Sequence, residues 1–443
     1  MRPDERLIVL FAVLAASTAL FADQNRGQGR GGGRGGAGGG PQTSYLLHPA
    51  RVFDGDAMHD GWVVVVQGQR IEAAGPAASV TAPPNAETID LPGATLLPGL
   101  IEAHSHVLLH PYNETTWNDQ VEHELLGTRI ARATVSLKAT LDAGFTTIRD
   151  LGTEGAGYAD VGLKQAVNQG IIPGPRMIVV TRAIVATGAY GPKGFPAEWD
   201  VPQGGEEASG VEGLTRVIRD QASKGADWIK LYGDYRVGPS GGAVPTFTLE
   251  EMKTAVEVAH SIGRPVAVHT STTEGLRRAI VAGVDTIEHG DGGTPELFKM
   301  MADAHIALCP TLAATDATSQ YAGWNKASGA PEPQAVQRKR QMFKAALDAG
   351  VTIASGSDVG VFTHGDNARE IELMVAYGMS PIDALKSATS VDAKALKMDN
   401  QVGRVAQGLF ADLIAVDGDP TKDISTLHKI KLVIKGGAIE VKR

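Results

Sequence analysis

The stretch that most constrains the fold is residues 96–106, where an apolar run ends in two histidines separated by one residue. Residues i and i+2 of an extended strand point to the same side, so His104 and His106 can direct two imidazoles at one point. Pro98-Gly99 is a turn signal, so the strand starts afresh after it. Alone, the pair also suits two solvated histidines near a loop, and the rest of the chain decides between the readings.

Length and composition exclude several classes of protein. A chain of 443 residues is long enough for two domains, or for one large barrel with an appendage. The formal net charge of −9 argues against general electrostatic binding of nucleic acid. Because Cys309 is the single cysteine, an intrachain disulfide and a multi-cysteine zinc site are both excluded.

The N-terminus is typical of an exported protein. Residues 1–22 predict a signal peptide, since Arg2 and Arg6 precede an apolar run over residues 7–22 that ends in small residues. An uncleaved membrane anchor is the alternative, and both place the protein outside the cytoplasm, periplasmic or secreted. Residues 23–44 are rich in glycine and arginine and predict a disordered linker. No stable membrane association is expected after signal cleavage.

The two ends of the remaining chain resemble each other in pattern. Residues 45–96 and 403–443 consist of short β-branched runs separated by turn residues. Two β-rich ends around a different middle predict one small β-sandwich domain built from both termini.

The middle, residues 97–402, repeats a unit in which a helical pattern ends at Ala-Gly and a β-branched run follows. Near copies begin at Ala143, Ala282 and Ala349. This alternation predicts the α/β class and a (β/α)8 TIM barrel. A doubly wound open sheet is the runner-up, disfavoured because no glycine-rich phosphate fingerprint follows the first strand. The eight strands are expected to end near His106, Asp150, Thr181, Lys230, His269, His289, Pro310 and Ser357.

Polar residues recur at the carboxyl ends of these strands, where barrel enzymes carry their chemistry. For each residue alone, a satisfied polar group in the core is the better interpretation. Together they indicate a site for zinc or a similar divalent ion, because they supply four imidazoles, a carboxylate and no thiolate. The six are His104, His106, Lys230, His269, His289 and Asp358.

This motif set, over roughly residues 45–440, resembles the amidohydrolase superfamily in its binuclear-metal form. The resemblance implies two divalent ions, most simply Zn²⁺, with His104, His106 and Asp358 binding the more buried one. It implies that CO2 carboxylates Lys230, which then bridges the two ions, and that His269 and His289 hold the second ion. It also implies that a hydroxide bridging the ions attacks the amide carbonyl, while Asp358 passes a proton to the leaving nitrogen.

Within the superfamily the chain is similar to the imidazolonepropionase-like and Xaa-Pro dipeptidase group, which includes ochratoxin-degrading amidohydrolases. Gly152 after Arg149-Asp150 and the segments 364–370 and 381–389 carry this similarity. It implies hydrolysis of an amide that links a C-terminal amino acid to an acyl or aminoacyl group. Such substrates are N-acyl amino acids, Xaa-Pro-type dipeptides and ochratoxin A.

Two further residues are candidates for catalysis. Many relatives carry a histidine in a glycine-rich loop after the third strand, where this chain has Tyr190. Tyr190 is expected to polarise the carbonyl in its place, unless the loop does not reach the substrate. His364, shortly after Asp358, is the alternative general base.

The loop after Lys230 predicts the substrate contact. Arg236 can bind a carboxylate through two parallel hydrogen bonds, and the hydroxyl of Tyr232 or Tyr235 can add one more. Relatives that release C-terminal amino acids use residues of this kind on this loop. The alternative is an exposed Arg236 paired with Asp234.

Two other functions stay open at this level. One is a lactonase or cyclic-amide hydrolase of the same superfamily. The other is an exported binding protein without catalysis, which has no need for Lys230 or Asp358. A small-molecule substrate with a free carboxylate and a homo-oligomeric assembly are expected, and no nucleic-acid partner.

Overall fold

A computed structural model describes residues 43–237 and 241–443, and within them Thr43–Arg443 forms one compact unit. The predicted signal peptide, 1–22, and the linker as far as residue 42 lie outside the described residues. The first strand begins at Ser44, the last residue of the predicted linker.

The strands of the described residues are β1 (Ser44–Phe53), β2 (Met58–Asp60), β3 (Trp62–Gln67), β4 (Arg70–Pro76), β5 (Glu87–Pro98), β6 (Leu100–Ser105), β7 (Phe145–Asp150), β8 (Arg176–Val179), β9 (Ile184–Val185), β10 (Glu206–Glu207), β11 (Ile229–Tyr232), β12 (Asp234–Arg236), β13 (Ala243–Pro245), β14 (Val266–Thr270), β15 (Thr286–His289), β16 (Ala307–Cys309), β17 (Leu413–Asp417), β18 (Ile430–Lys435) and β19 (Ala438–Lys442).

The α-helices of the same residues are α1 (Trp117–Glu122), α2 (Leu126–Asp142), α3 (Ala159–Asn168), α4 (Gly210–Ser223), α5 (Leu249–Ser261), α6 (Thr273–Ala282), α7 (Pro295–Asp303), α8 (Leu312–Tyr321), α9 (Gln334–Asp348), α10 (Ala368–Ala376), α11 (Pro381–Lys386) and α12 (Asp392–Ala395). Nowhere in this described part does a helix combine the length and the hydropathy needed to cross a membrane.

Strands from both ends of the chain join in one sheet. Its order is β19-β18-β17-β5-β1-β3-β4, with β2 paired to β1. β5 is the centre, since it pairs in parallel with β1 and antiparallel with β17. Alternating apolar side chains such as Leu47, Val64 and Leu413 are fully buried in a core of their own. The expectation that the two ends come together therefore agrees with the pairing.

A ring of parallel strands follows in the middle of the chain. β6, β7 and β8 pair in order, and β11, β14, β15 and β16 pair in order. Asp227 N, just before β11, donates to Val179 O of β8 over 2.8 Å. The segment 353–359 contacts the strands at both ends of this series, because Ile353 bridges to Leu308 of β16 and Val359 to Ser105 of β6.

The helix-glycine-strand repeat is formed where the sequence predicts it. α2 ends directly before Ala143-Gly144, and α6 ends at Ala282, directly before Gly283. Gly144 has a φ of 92° and Gly283 a φ of 80°, values that favour glycine at a helix end. The next strands, β7 and β15, begin within a few residues. Each unit thus returns the chain to the ring with its strand pointing the same way.

The predicted eighth strand is the exception. The segment 353–359 pairs with its neighbours through two isolated bridges and single backbone hydrogen bonds, and it does not form a regular strand. A buried carboxylate, Glu102, adds further contacts: Ser357 N donates to Oε1 over 2.7 Å and Ser357 Oγ to Oε2 over 2.6 Å. Asn367 Nδ2 donates to Oε2 over 2.8 Å. Asp358 is held next to β6 by its own backbone, since Asp358 N donates to His104 O over 2.8 Å.

Candidate active site

A cavity of about 410 Å³ opens at the carboxyl ends of the ring strands. Tyrosines, histidines and charged side chains dominate its wall. Most of the residues predicted for the site line it, namely His106, Tyr190, Tyr232, Tyr235, Arg236, His269, His289 and Asp358.

The two histidines of β6 converge on one carboxylate. His104 Nε2 lies 3.5 Å and His106 Nε2 lies 3.3 Å from Asp358 Oδ1. Their ring centroids are 5.3 Å apart, and both rings are buried. The i, i+2 spacing therefore brings the imidazoles to one point, as the sequence predicts.

Each of these rings is fixed from behind. His104 Nδ1 lies 2.8 Å from Glu288 Oε2, and Arg149 Nη2 donates to the other oxygen of Glu288 over 2.9 Å. His106 Nδ1 lies 3.0 Å from Gly152 O. Such partners behind a histidine set its tautomer and leave the opposite nitrogen free to bind a metal ion.

The histidines that end β14 and β15 face the same centre. Their ring centroids, of His269 and His289, are 4.6 Å apart, and that of His289 is 5.1 Å from that of His104. His289 Nδ1 contacts Thr311 Oγ1 at 2.8 Å. His269 Nε2 lies 3.6 Å from Asp234 Oδ1. The other ring nitrogen, Nδ1, is therefore left to face the centre of the site.

The charge states suit metal binding at three of these rings. Burial lowers the pKa of His104 to about 4 and of His269 to about 3, and lowers the pKa of His289 well below its ordinary value. A neutral imidazole is the form that binds a metal ion. His106 differs: burial alone would lower its pKa, but the hydrogen bond with Asp358 and the charge of Glu154 raise the pKa to about 9. A metal ion that bound at His106 would displace this proton.

Lys230 lies on β11 with 1% of its surface exposed. Among the described residues it has no hydrogen-bond or ion-pair partner, and its Nζ lies 5.5 Å from the ring centroid of Tyr232. Burial lowers the pKa of this amine, against the opposing charge of Glu288. A buried, unpaired ammonium is costly, so the surroundings favour the neutral amine.

These donors fit a divalent metal. His104, His289 and Asp358 each offer a ligand atom, and the three atoms lie within 4.8 Å of one another. A second group, His104, Glu288 and Cys309, is as compact. It fits less well, because Glu288 already binds Arg149 and burial raises the pKa of the Cys309 thiol well above its ordinary value.

His364 does not belong to this cavity wall. It is buried, and its Nε2 lies 3.3 Å from the backbone oxygen of Leu109. Burial lowers its pKa to about 4. The position favours a structural role over that of the alternative base, because the chain after Asp358 carries the ring behind Leu109.

Three tyrosines form one wall, which we call the tyrosine wall: Tyr190, Tyr232 and Tyr235. The ring of Tyr190 lies 4.4 Å from that of Tyr232 and 4.7 Å from that of Tyr235, between centroids. The ring of Tyr232 also stacks on His269 at 4.7 Å and 18°. The loop that carries Tyr190 therefore reaches the cavity.

Arg236 stands exposed at the rim, on the two-stranded ribbon of β12 and β13. Its predicted alternative partner, Asp234, accepts hydrogen bonds from Ser271 and Thr272 instead. Among the described residues Arg236 forms no ion pair. The arrangement favours a guanidinium available to a ligand.

Among the lining residues that sequence reasoning missed are Glu154, Thr311 and Lys339. Glu154 follows the end of β7 between Gly152 and Gly155, a position where loop residues reach a barrel mouth, so its place could have been inferred. Lys339 is the middle of three consecutive basic residues in α9, a run that is typical of a solvated face. It is nevertheless buried, and its Nζ donates to Asp291 Oδ1 over 2.7 Å.

Backbone strain is concentrated around the cavity. Four of its non-glycine lining residues adopt positive φ: Glu154 at 49°, His289 at 68°, Thr311 at 50° and Asp358 at 62°. Such conformations persist where surrounding contacts over-determine them, and they cluster at functional sites.

The chain is similar in sequence and in structure to several known proteins. Ochratoxinase of Aspergillus niger is 29% identical over 379 residues, covering 78% of this chain and 75% of the relative. Imidazolonepropionase of Cutibacterium acnes is 26% identical over 371 residues, covering 80% and 83%. The crystal structure of a Xaa-Pro dipeptidase with bound methionine in the active site matches with a TM-score of 0.79 and 31% identity, covering 90% of this chain and 99% of that one.

These neighbours give the fold its class, a TIM-barrel-like α/β fold. Residues 95–439 match the model of the amidohydrolase family. That span includes every predicted ligand and the whole ring of strands, so the chain belongs to the amidohydrolase family, whose members are hydrolases that generally depend on metal.

Proposed function

We propose that the protein hydrolyses an amide bond between a C-terminal amino acid and an acyl or aminoacyl group. The observation that carries this proposal is the exposed Arg236, which forms no ion pair with a described residue and lies at the rim of the cavity whose floor holds the converging histidines. N-acyl amino acids, Xaa-Pro-type dipeptides and ochratoxin A are the substrates to which it extends. Relatives named ochratoxinase and Xaa-Pro dipeptidase support it.

The residues at the floor would hold two divalent ions, with zinc as the proposed metal. His104, His106 and Asp358 would bind one ion, and His269 and His289 the other. Lys230 would bridge them after carboxylation by CO2, a reaction that requires the neutral amine favoured by its burial. When bound, such ions activate water and polarise the scissile carbonyl.

Asp358 would move the proton. It contacts the Nε2 atoms of both β6 histidines, and its side chain keeps 14% exposure towards the cavity. Burial opposes ionisation, but the hydrogen bond with His106 and the positive charge of that ring lower the pKa of Asp358 overall. An ionised carboxylate here can accept a proton from the attacking water and deliver it to the leaving nitrogen.

The carboxylate of the substrate would lie at Arg236, in a charge-assisted hydrogen bond. Tyr235 is the better of the two tyrosines to assist, because its hydroxyl makes no hydrogen bond to any described residue. The hydroxyl of Tyr232 is already paired with Tyr190 at 3.2 Å. Tyr190 itself donates to Glu154 at 2.6 Å, so it would have to leave that partner to polarise a carbonyl.

The test is Arg236→Met, assayed on an N-acyl amino acid and on its uncharged methyl amide. We expect kcat/KM for the acid to fall about 10–100-fold and that for the amide to change little. Arg219→Met, an exposed arginine of α4, is the matched control. Equal losses on both substrates would contradict the carboxylate contact.

A cyclic-amide hydrolase is the second candidate, supported by the imidazolonepropionase relative. A ring-opening substrate has no C-terminal amino acid to release, so turnover of cyclic amides in preference to N-acyl amino acids would favour it. A lactonase or a non-catalytic exported binding protein has less support, since neither explains Arg236 beside a complete ligand set.

For the whole chain we propose a closed (β/α)8 barrel over residues 97–402, with a β-sandwich formed by 45–96 and 403–443. We further propose export to the periplasm or medium and assembly as a homo-oligomer. Fractionation of cells that express the full chain tests the export, and analytical ultracentrifugation tests the oligomeric state.

A further inference from the structure

A buried carboxylate behind the tyrosine wall has no part in the hydrolysis proposed above. Glu154 lines the cavity with 1% of its side chain exposed. Tyr190 donates to Oε2 over 2.6 Å, and Trp117 Nε1 donates to the same oxygen over 2.9 Å. Oε1 lies 3.8 Å from His106 Nδ1 and has no hydrogen-bond partner among the described residues. Glu154 thus brings a negative charge that its protein neighbours satisfy only in part.

Two hydroxyls of the tyrosine wall, those of Tyr190 and Tyr232, form a chain of hydrogen bonds that ends at this carboxylate. A tyrosine hydroxyl carries one proton and accepts through its lone pairs. Because Glu154 takes the proton of Tyr190, Tyr232 must be the donor in the 3.2 Å contact between the two hydroxyls. The Tyr232 oxygen therefore offers the cavity only lone pairs. A wall of this polarity suits a ligand that donates hydrogen bonds.

The charges around the tyrosine wall also favour a ligand that donates hydrogen bonds. Burial, followed by the charge of Glu154, raises the pKa of Tyr190 well above the ordinary range, so its hydroxyl keeps the proton that it donates to Glu154. Burial and then Glu154 also raise the pKa of Tyr235. A substrate carboxylate beside the hydroxyls of Tyr190 and Tyr232 would be repelled by Glu154, whereas Tyr235 lies outside this hydrogen-bonded chain. An ammonium would be attracted by Glu154 and by the faces of the rings.

We propose that Glu154, Tyr190 and Tyr232 bind the free ammonium group of the substrate, which makes dipeptides with a free N-terminus the preferred substrates over N-acyl amino acids. The inference rests on the proposed amide hydrolysis. The ammonium donates to the Tyr232 oxygen within the field of Glu154, and the carboxylate at the other end of the dipeptide binds Arg236 at the rim.

The test compares a dipeptide with its N-acetyl derivative in the full-length, metal-loaded enzyme and in Glu154→Gln. We expect the parent enzyme to favour the free dipeptide by at least about 10-fold in kcat/KM. Glu154→Gln keeps an acceptor oxygen for Tyr190 and Trp117 but removes the charge. It should lower kcat/KM for the dipeptide about 10–100-fold and leave the acetylated substrate within about 3-fold.

Two further variants guard the interpretation. Tyr190→Phe frees the proton of Tyr232 and should shift the preference in the same direction, which keeps the test valid if Glu154→Gln fails to fold. Glu206→Gln is the matched control, since Glu206 is a half-buried carboxylate 3.6 Å from Arg182 and does not line the cavity. It should leave the preference unchanged.

The outcomes separate this inference from the proposed function. Equal losses on both substrates in Glu154→Gln, or a parent enzyme that prefers the acetylated substrate, would overturn the ammonium site while leaving amide hydrolysis intact. If neither substrate is hydrolysed, the proposed function fails. Calorimetric binding of a non-hydrolysable phosphinate dipeptide, with and without its free amine, then decides the ammonium site: equal affinity overturns it, and tighter binding of the free amine supports it.

Discussion

The histidine side of the cavity is built on strands, whereas the tyrosine wall stands mainly on the segments that follow them. His104, on β6, and His289, at the end of β15, each have a partner behind the ring. Tyr190 lies in a loop after β9, and Arg236 lies on a short ribbon at the rim. The first side is suited to holding ions at a fixed spacing, and the second can vary with the substrate without disturbing the first.

The largest effect is expected from Lys230→Ala, which removes the proposed bridge between the two ions. We expect metal content to fall below two ions per chain and hydrolysis to fall to background, as measured by elemental analysis and amine release. Short carboxylic acids are expected to restore part of the activity by taking the place of the bridge. Lys224→Ala, an exposed lysine paired with Asp220 at 2.8 Å, is the control. Two bound ions and full turnover in Lys230→Ala would show that metal binding on the histidine side of the cavity does not depend on Lys230.

Asp358→Asn should separate metal binding from proton transfer. The amide keeps a ligand oxygen but cannot carry the proton, so we expect near-normal metal content and a kcat lower by about 10²-fold or more. Metal analysis and steady-state kinetics on the same preparation make the comparison. Undiminished turnover would mean that another group serves as the base, and His364 would then have to move from behind Leu109 to do so.

The smallest effect is expected from Thr311→Val, which keeps the shape of the side chain and removes the hydroxyl behind His289. Loss of such a partner weakens metal binding by about 10-fold. Competition with a chelator measures the change in affinity, and the preference between dipeptide and acetylated substrate should stay as in the parent enzyme. A changed preference would show that the two sides of the cavity are coupled.

The histidine side of the cavity could be predicted from the sequence because its signals are local. The His-x-His spacing of His104 and His106 sets two rings on one face, and the Ala-Gly ends of the helices mark where strands begin. The order of strands then brings His269 and His289 to the same end of the ring. These relations need only the period of a strand and the direction of a parallel sheet.

The other wall could not be predicted to the same depth. His364 lies six residues beyond Asp358 in the sequence, yet the intervening turn carries it behind the cavity. Glu154 has a sequence position that indicates the mouth of the barrel, but its hydrogen bonds to Tyr190 and Trp117 join two separate loops and the start of α1. The direction of a hydroxyl proton depends on such contacts, and no spacing in the chain encodes it.

The sheet that joins both chain ends also sets the order of folding. Thr95 Oγ1 donates to Gly418 O over 2.5 Å, across 323 residues of sequence. β5 therefore cannot pair with β17 until almost the whole chain has been synthesised. The ring strands between them can pair with strands that are close in sequence. Contacts of such long range form late and slowly. A chain that ended before β17 would leave β5 paired with β1 on one side and unpaired on the other. Aggregation of incomplete chains would begin at that unpaired edge.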